Sequence, residues 1–314
     1  MCSTFSCKAN YLIFLCPITE DKVKISTDSV FGSDFMQIAM IHDKIVPAAE
    51  LESPYLDRGV YFGDGVYEVV RSYGGKIFAL EEHLQRFANS LAAIEIGGVD
   101  TDRIRSRVLR AFDAASIANA KIYFHITRGS APRSHTWETN LKPNFFLTVT
   151  ESPDDTEEKT KGIAVSTHPD WRWKRCDIKS LNLLPNVLAR ADAARKGCEE
   201  AILVDEAGLI TEGAGSAFFA IFGQTLQTAP LTANILPSIT RKFTIEAGKN
   251  IGLDIVEKSF TPQQAGSADE LFIAVTTKDI VPVVEFDGKP IGDGKPGKYT
   301  KLLIREFRLF IRST

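Results

Sequence analysis

The sequence lacks the features that mark several large protein classes. No apolar run approaches the roughly 20 residues that a membrane-spanning helix requires, so no membrane partner is predicted. There is no Cys-x-x-Cys motif, and the five cysteines are an odd number, which favours a reducing, cytoplasmic setting over a disulfide framework. The five histidines show no metal-ligand spacing, so no catalytic metal is predicted. A net charge of −3 gives no broad basic field, which argues against a nucleic-acid partner.

A dinucleotide-binding motif is also absent. No Gly-x-Gly-x-x-Gly run opens a helix, which disfavours a Rossmann-type site. What the chain does contain is 314 residues, 44% hydrophobic and 25% charged, enough for two ordinary domains with a real core. The predicted strands are joined mainly by hairpins rather than by regular strand–helix–strand crossovers, which indicates an α+β fold.

Composition divides the chain into four segments. Residues 1–35 hold three of the five cysteines and one short apolar run, and we interpret them as an extension outside the fold rather than a targeting signal. Residues 36–151 are predicted to form a small N-terminal domain. Residues 152–159 are polar and acidic with one proline, which is typical of a linker. Residues 160–314 are predicted to form a C-terminal domain.

Hydrophobic periodicity predicts the individual elements. Residues 37–47 have the pattern of a strand, a turn and a strand. The predicted helices cover residues 81–94, 101–115, 184–196, 238–250 and 299–310. The predicted strands cover residues 65–73, 121–127, 144–150, 162–167, 201–204, 218–222, 225–228, 271–275 and 281–286.

Two residues carry the strongest chemical signal. Lys179 lies at the edge of an apolar stretch, where a lysine loses its proton cheaply and can attack an aldehyde as a free amine. Glu212, which is followed by a glycine, supplies a carboxylate that can keep a pyridine nitrogen protonated. An imine-forming lysine and an acidic partner for the ring nitrogen are what a pyridoxal 5′-phosphate (PLP) enzyme needs.

The sequence around these residues resembles a known family. Residues 177–182, 196–198, 200–203 and 211–213 occur in an order similar to that of the class IV aminotransferases, and most closely to the D-amino-acid aminotransferases among them. The family also includes branched-chain aminotransferases and aminodeoxychorismate lyases. The resemblance extends from about Met36 to the C-terminus. It implies an α+β, two-domain PLP enzyme of fold type IV, with a smaller N-terminal α/β domain and a larger C-terminal domain containing a mixed-sheet pseudo-barrel.

The resemblance also assigns residues to the cofactor. It implies that Lys179 forms the Schiff base with PLP and moves the proton, and that Glu212 holds the pyridinium proton. It implies that Leu236 packs on the ring. The residues that it implies for the phosphate are Arg86, Ile239, Thr240 and Thr276. The predicted helix start after Leu236 independently suits a phosphate, because a helix N-terminus offers free backbone N–H groups and a favourable dipole.

Arg133 and His135 are the predicted carboxylate-binding pair. Their i, i+2 spacing lets both side chains project to one side of an extended segment, and an arginine beside a histidine forms a good trap for a carboxylate. The resemblance implies that this pair reaches in from the other subunit, so a homodimer with a shared substrate site is expected. It implies that Tyr67 is the third member of the trap.

Residues 214–217 depart from the family pattern. D-specific members usually have Ser-Ser-Ser-Asn here, whereas this chain has Ala-Gly-Ser-Ala. The expected reaction is transfer of the amino group from a D-amino acid, D-alanine, to a 2-oxo acid, 2-oxoglutarate. The alternatives with the same fold are a branched-chain L-amino-acid transaminase, an (R)-amine transaminase and an aminodeoxychorismate lyase. A non-catalytic PLP-binding paralogue is the alternative from another class.

Overall fold

The computed structural model describes residues 37–152, 156–232 and 234–313. The predicted extension, residues 1–35 with Cys2, Cys7 and Cys16, lies outside the described residues, as do residues 153–155 of the predicted linker. Among the described residues, no helix is both long and apolar enough to cross a membrane. Within the same ranges, no group of three or more His, Cys, Asp or Glu side chains is arranged to hold a metal ion.

The described chain forms two compact units, residues 37–50 and 51–313. The first is an antiparallel hairpin of β1 (Ile38–Ile41) and β2 (Lys44–Pro47), followed by a 3₁₀ turn at Ala48–Glu50. The strand–turn–strand predicted there is confirmed.

The second unit begins with a four-stranded antiparallel sheet and the helices that cover it. After a 3₁₀ turn, the elements are α1 (Arg58–Phe62), β3 (Gly65–Tyr73), β4 (Lys76–Ile77), α2 (Leu80–Ala93), α3 (Thr101–Ala115), β5 (Ala120–Thr127) and β6 (Asn144–Glu151). The strand order is β4–β3–β5–β6. Side chains alternate across a strand, so Val66 and Val70 of β3 enter the core with α2 and α3, while Tyr67 and Val69 lie on the opposite face.

A larger mixed sheet follows. Its elements are α4 (Thr156–Lys161), β7 (Ile163–Pro169), α5 (Leu184–Arg195), β8 (Glu200–Val204), β9 (Ile210–Gly213), β10 (Ala217–Phe222), β11 (Thr225–Thr228), α6 (Ile239–Asn250), β12 (Asp254–Glu257), α7 (Pro262–Ala265), β13 (Glu270–Val275), β14 (Asp279–Phe286), β15 (Lys289–Pro290) and α8 (Lys298–Ser313). The order is β12–β11–β10–β13–β14–β7–β8–β9, with β15 beside β14, and the sheet curls into a half-barrel. Buried aliphatic and aromatic side chains fill both of its faces.

Three strand pairs in this sheet are parallel, which differs from the hairpin connections expected from the sequence. β7 pairs with β8 through the crossover helix α5, and β11 pairs with β12 through α6. β14 also runs parallel to β7. Strand β12 was not predicted, because two of its four residues are acidic and none is buried, so it has no apolar pattern.

The end of the predicted linker is helical. Residues 156–159 belong to α4, which continues to Lys161. Lys159 of this helix is buried and pairs with Asp279, with 2.8 Å between Nζ and Oδ2. The sequence did not predict this helix, because the segment is polar and the residue that is buried in it, Lys159, is charged.

Candidate active site

One cavity of about 280 Å³ lies where the face of β3 that carries Tyr67 meets the edge of the larger sheet. The Lys179 segment, the end of β9, the start of α6 and the turn after β13 complete its wall. Six of the predicted site residues line it, namely Tyr67, Arg86, Lys179, Glu212, Leu236 and Thr276. Ile239 and Thr240 follow directly on Ser238, which also lines it.

Lys179 is held beside β3 by backbone bonds. Its N–H donates to Ser90 Oγ at 3.1 Å, and its carbonyl accepts the Tyr67 N–H at 3.0 Å. Ser180 forms a bridge with Val66 on the same strand. The Lys179 Nζ lies 4.3 Å from the centre of the Tyr67 ring. The amine is therefore fixed at the cavity wall against a polarisable ring face.

Glu212 is a buried carboxylate at the end of β9. Its Oε1 accepts from Arg172 Nη1 at 2.5 Å and from the Leu236 N–H at 3.2 Å. Burial raises the pKa of Glu212 above its ordinary value, and the Arg172 guanidinium and the Leu236 N–H oppose that rise. A carboxylate with a raised pKa holds a shared proton more tightly than an ordinary glutamate does.

Arg172 is a site residue that sequence reasoning missed. Its guanidinium is buried and also pairs with Asp170, with 2.8 Å between Nη2 and Oδ2. Burial lowers the pKa of Arg172, but the carboxylates of Asp170 and Glu212 outweigh burial and raise it, so the side chain stays cationic. In the sequence Arg172 lies between two tryptophans in a basic run, and nothing there distinguishes it from an exposed cation.

Arg86 is fixed by a buried network on the other side of β3. Its Nε and Nη2 donate to the Glu68 carboxylate at 2.7 and 2.8 Å, and its Nη1 donates to the Pro237 carbonyl at 3.0 Å. His83 Nδ1 lies 2.8 Å from Glu68 Oε2. Burial raises the pKa of Glu68, but Arg86 and His83 outweigh it and hold that pKa well below its ordinary value. Glu68 was also missed, although a carboxylate on the core-facing side of β3 could have revealed it.

The network around His83 gives a pH-dependent stability. Burial lowers the pKa of His83 below its ordinary value of 6.5, and the Glu68 carboxylate only partly opposes this. A group whose pKa is lowered by folding stabilises the protein fully above the unfolded pKa, and that stability is lost as the pH falls towards the folded pKa. We therefore expect the urea midpoint to fall as the pH drops below about 6.5. His83→Gln keeps a donor for Glu68 and should flatten that slope, whereas the exposed control His42→Asn should not. Equal slopes in wild type and His83→Gln would contradict this account.

The start of α6 provides backbone donors. The Ser238 side chain caps the helix by accepting the Arg241 N–H at 3.2 Å. The first N–H groups of a helix have no intrahelical acceptor, so those of Ile239 and Thr240 are available at this end. Arg86 lies at this helix start, because its Nη1 donates to the Pro237 carbonyl, and Thr276 lines the same cavity.

Arg133 and His135 are brought together, but away from the cavity of their own chain. Both side chains are exposed and contact Phe62, with Arg133 Cζ 5.1 Å and the His135 ring 5.4 Å from the Phe62 ring centre. Arg58 holds their loop by donating to the Ser134 carbonyl at 2.6 Å. Neither Arg133 nor His135 is among the residues that line the cavity.

The departure at residues 214–217 lies in the cavity wall, which all four residues line. The Gly213 N–H donates to the Ser216 carbonyl at 2.7 Å, so the segment makes a tight turn. The remaining hydroxyl, on Ser216, donates to the buried Glu200 carboxylate at 3.0 Å. Asn186 Nδ2 donates to the Ala214 carbonyl at 2.7 Å and also lines the cavity. A wall of small residues thus stands where the resemblance implied Ser-Ser-Ser-Asn.

The structural comparisons agree with the fold. The Escherichia coli branched-chain amino acid aminotransferase superposes with a TM-score of 0.77 at 24% identity, over 87% of this chain and 94% of that one. The branched-chain aminotransferase of the thermophilic archaeon Thermoproteus uzoniensis, solved with norvaline, superposes with a TM-score of 0.74 at 24% identity, over 86% and 93% of the two chains. The predicted α+β architecture of fold type IV is confirmed.

The sequence comparisons identify the family. The D-alanine aminotransferase of Bacillus licheniformis is 36% identical over 266 residues, which are 83% of this chain and 93% of that protein. The D-alanine aminotransferase of Staphylococcus haemolyticus is 36% identical over 280 residues, 88% and 99% of the two chains. A family model described as amino-transferase class IV matches residues 65–286. The chain therefore belongs to the class IV aminotransferases and is a transaminase.

Proposed function

We propose that this transaminase moves the amino group of a D-amino acid, with D-alanine as the donor, to a 2-oxo acid such as 2-oxoglutarate. The convergence of the Lys179 amine and the buried Glu212 carboxylate on one cavity carries the proposal for the reaction. The Arg133–His135 pair, together with 36% identity to D-alanine aminotransferases, supports the D-amino-acid donor.

The cavity fits PLP, the cofactor of class IV aminotransferases. Its donor set consists of an amine, a buried carboxylate and a cationic end with a helix N-terminus, which suit an aldehyde, a pyridine nitrogen and a phosphate. When bound, PLP supplies an electron sink for the substrate α-carbon. Lys179 would bind the aldehyde of PLP covalently, and Glu212 and Leu236 would face its ring. The residues that would hold the phosphate are Arg86, Ile239, Thr240 and Thr276.

Lys179 then acts as the base. Its Nζ, fixed beside the Tyr67 ring, accepts the α-proton of the donor amino acid and carries it during transfer of the amino group. The donor product leaves before the 2-oxo acid enters the same site, so the kinetics should be ping-pong. Tyr67 lines the same cavity and would contact the substrate carboxylate.

We propose a homodimer in which Arg133 and His135 of the partner subunit complete the carboxylate trap. Two observations support it. The pair lies outside the cavity of its own chain. In addition, α5 exposes Leu184, Val187 and Leu188, which at i, i+3 and i+4 form one apolar stripe.

The domain division stays part of this proposal, with residues 36–151 and 160–314 as domains and residues 152–159 between them. The end of the four-stranded sheet at Glu151 and the start of the larger sheet at Ile163 support it. The cytoplasmic setting also stays a prediction, made from the cysteine content.

The double variant Arg133→Ala/His135→Ala tests the carboxylate trap. We expect turnover of D-alanine to fall by about 10²-fold or more, because loss of desolvated charged partners costs roughly 2–5 kcal/mol. The visible absorption of the PLP-loaded protein should stay unchanged, since the pair is proposed to contact the substrate carboxylate and not the cofactor. Lys142→Ala, which removes an exposed cation from the segment that follows, is the control. Unchanged turnover would refute the trap.

The spectrum of the PLP-loaded protein, recorded before and after addition of a single amino acid, tests the proposed function directly. We expect D-alanine, and not L-leucine, to remove the visible band. Loss with L-leucine alone would instead indicate a branched-chain transaminase. Release of pyruvate from aminodeoxychorismate without a 2-oxo acid would indicate a lyase. A band that no D- or L-donor removes would indicate a non-catalytic PLP-binding protein.

A further inference from the structure

The turn that carries Thr276 has an unusual backbone. It spans residues 275–279, between β13 and β14, and both Thr276 and Thr277 line the cavity. Its last residue, Asp279, has a φ of 58°, in the left-handed region that residues other than glycine rarely adopt. Such a conformation persists only where surrounding contacts hold it.

Asp279 is held by two groups from other elements. Its side chain is buried, and its Oδ2 accepts from Lys159 Nζ on α4 at 2.8 Å. Its Oδ1 accepts from the Tyr73 hydroxyl on β3. Lys159 is itself buried, so this ion pair joins α4 to the turn in a region shielded from water.

A third contact reaches the middle of the same turn. Arg71 of β3, also buried, donates to the Thr277 carbonyl. Tyr67, Val69, Arg71 and Tyr73 follow one another at alternate positions of β3 and therefore share a face. The first two of them line the cavity, and the last two hold the turn. One strand face thus connects the neighbourhood of Lys179 to the Thr276 turn.

We infer that Asp279, Lys159, Tyr73 and Arg71, here called the Asp279 cluster, position the Thr276 turn for the phosphate group of the cofactor. Asp279 is a positioning residue, because it acts through the backbone of the turn. The inference rests on the proposed function, in which Thr276 binds that phosphate. Without the carboxylate, the turn loses its ion pair to Lys159 of α4 and the left-handed backbone loses that support, so the Thr276 hydroxyl moves from its place.

Comparing the dissociation constants of two aldehydes distinguishes this positioning role from a general loss of structure. Apoprotein of the full chain would be titrated with PLP and, separately, with pyridoxal, which lacks the phosphate, and the dissociation constants read from tryptophan fluorescence. We expect Asp279→Asn to weaken PLP binding by about 10- to 100-fold, since displacement of a positioned group by about 1 Å can cost 10²-fold. Pyridoxal binding should be unchanged.

Asp287→Asn is the matched control. Asp287 follows the other end of β14, also has a left-handed φ, of 49°, and accepts the Thr167 N–H at 2.7 Å. The variant Asp287→Asn should leave the dissociation constants of PLP and pyridoxal at the wild-type values. If Asp279→Asn does not fold, Tyr73→Phe removes only one hydroxyl of the cluster and should shift the PLP constant in the same direction.

The outcomes distinguish the two proposals. A wild type that binds PLP no more tightly than pyridoxal would contradict the phosphate site, and with it the proposed function. A wild type that prefers PLP, with the preference retained in Asp279→Asn or in Tyr73→Phe, would overturn the role of the Asp279 cluster alone. Equal loss of both ligands would also overturn it, because the effect would then not act through the phosphate.

Discussion

Lys179→Ala is expected to lower transamination of D-alanine by roughly 10⁴-fold or more, because it removes both the attacking amine and the base that moves the α-proton. The visible band of the attached cofactor should disappear with it. The fold should survive, since the contacts that anchor the segment are made by the backbone of Lys179 and not by its side chain. Single-turnover absorbance with D-alanine is the measurement.

Lys174→Ala is the matched control for this variant. Lys174 is exposed and lies five residues earlier in the same segment, so its loss should change neither the band nor turnover. Added methylamine should partly restore proton transfer in Lys179→Ala, because the cavity left by the side chain admits a small amine. A Lys179→Ala protein that retains the band and wild-type turnover would remove Lys179 from the chemistry.

The prominence of Lys179 in the sequence has a structural cause. The segment around it is half-buried and bonded to β3 by its backbone, so its residues form a continuous local pattern. Elements with a clear period were likewise predictable. Strand β3 and helix α3 have the residue ranges that periodicity predicts, because one face of each is buried and the other is not.

The parts that the sequence did not reveal depend on contacts between distant residues. Arg172 becomes a site residue only because Glu212, 40 positions later, ends a neighbouring strand. Tyr73 and Asp279 are separated by more than 200 residues and meet through the packing of β3 against one turn. A charged side chain at such a place looks like any solvated charge until the fold surrounds it. Strand β12 was missed for a related reason, since two of its four residues are acidic and the strand with which it pairs, β11, lies before α6 in the chain.

Glu212→Gln is the second change with a large expected effect. The substitution keeps the shape of the side chain and an oxygen for the Leu236 N–H, but removes the negative charge that burial makes an unusually strong proton acceptor. We expect turnover of D-alanine to fall by about 10²- to 10³-fold, the size of effect seen when one preorganised electrostatic group is removed. The PLP-loaded protein should still form, because Lys179 is untouched. Turnover and the spectrum measured on the same sample check both expectations.

Glu206→Gln provides the control for charge alone, since Glu206 is exposed in the turn between β8 and β9. Glu212→Asp tests position, because it keeps the charge but withdraws it by one methylene from Arg172. If Glu212→Gln retained full turnover, the ring proton would have to be held elsewhere.

Arg172→Leu tests the partner of Glu212, because it removes the guanidinium and leaves the carboxylate in place. It leaves Glu212 negative but without its buried partner, at a cost of roughly 3–5 kcal/mol in the free energy of unfolding. Because the guanidinium opposes the rise in the Glu212 pKa, its loss should raise that pKa further. We therefore expect this variant to be less stable than Glu212→Gln, which keeps the Arg172–Asp170 pair. Urea unfolding of the two variants at one pH decides the order, and the reverse order would mean that the buried carboxylates do not depend on the Arg172 guanidinium.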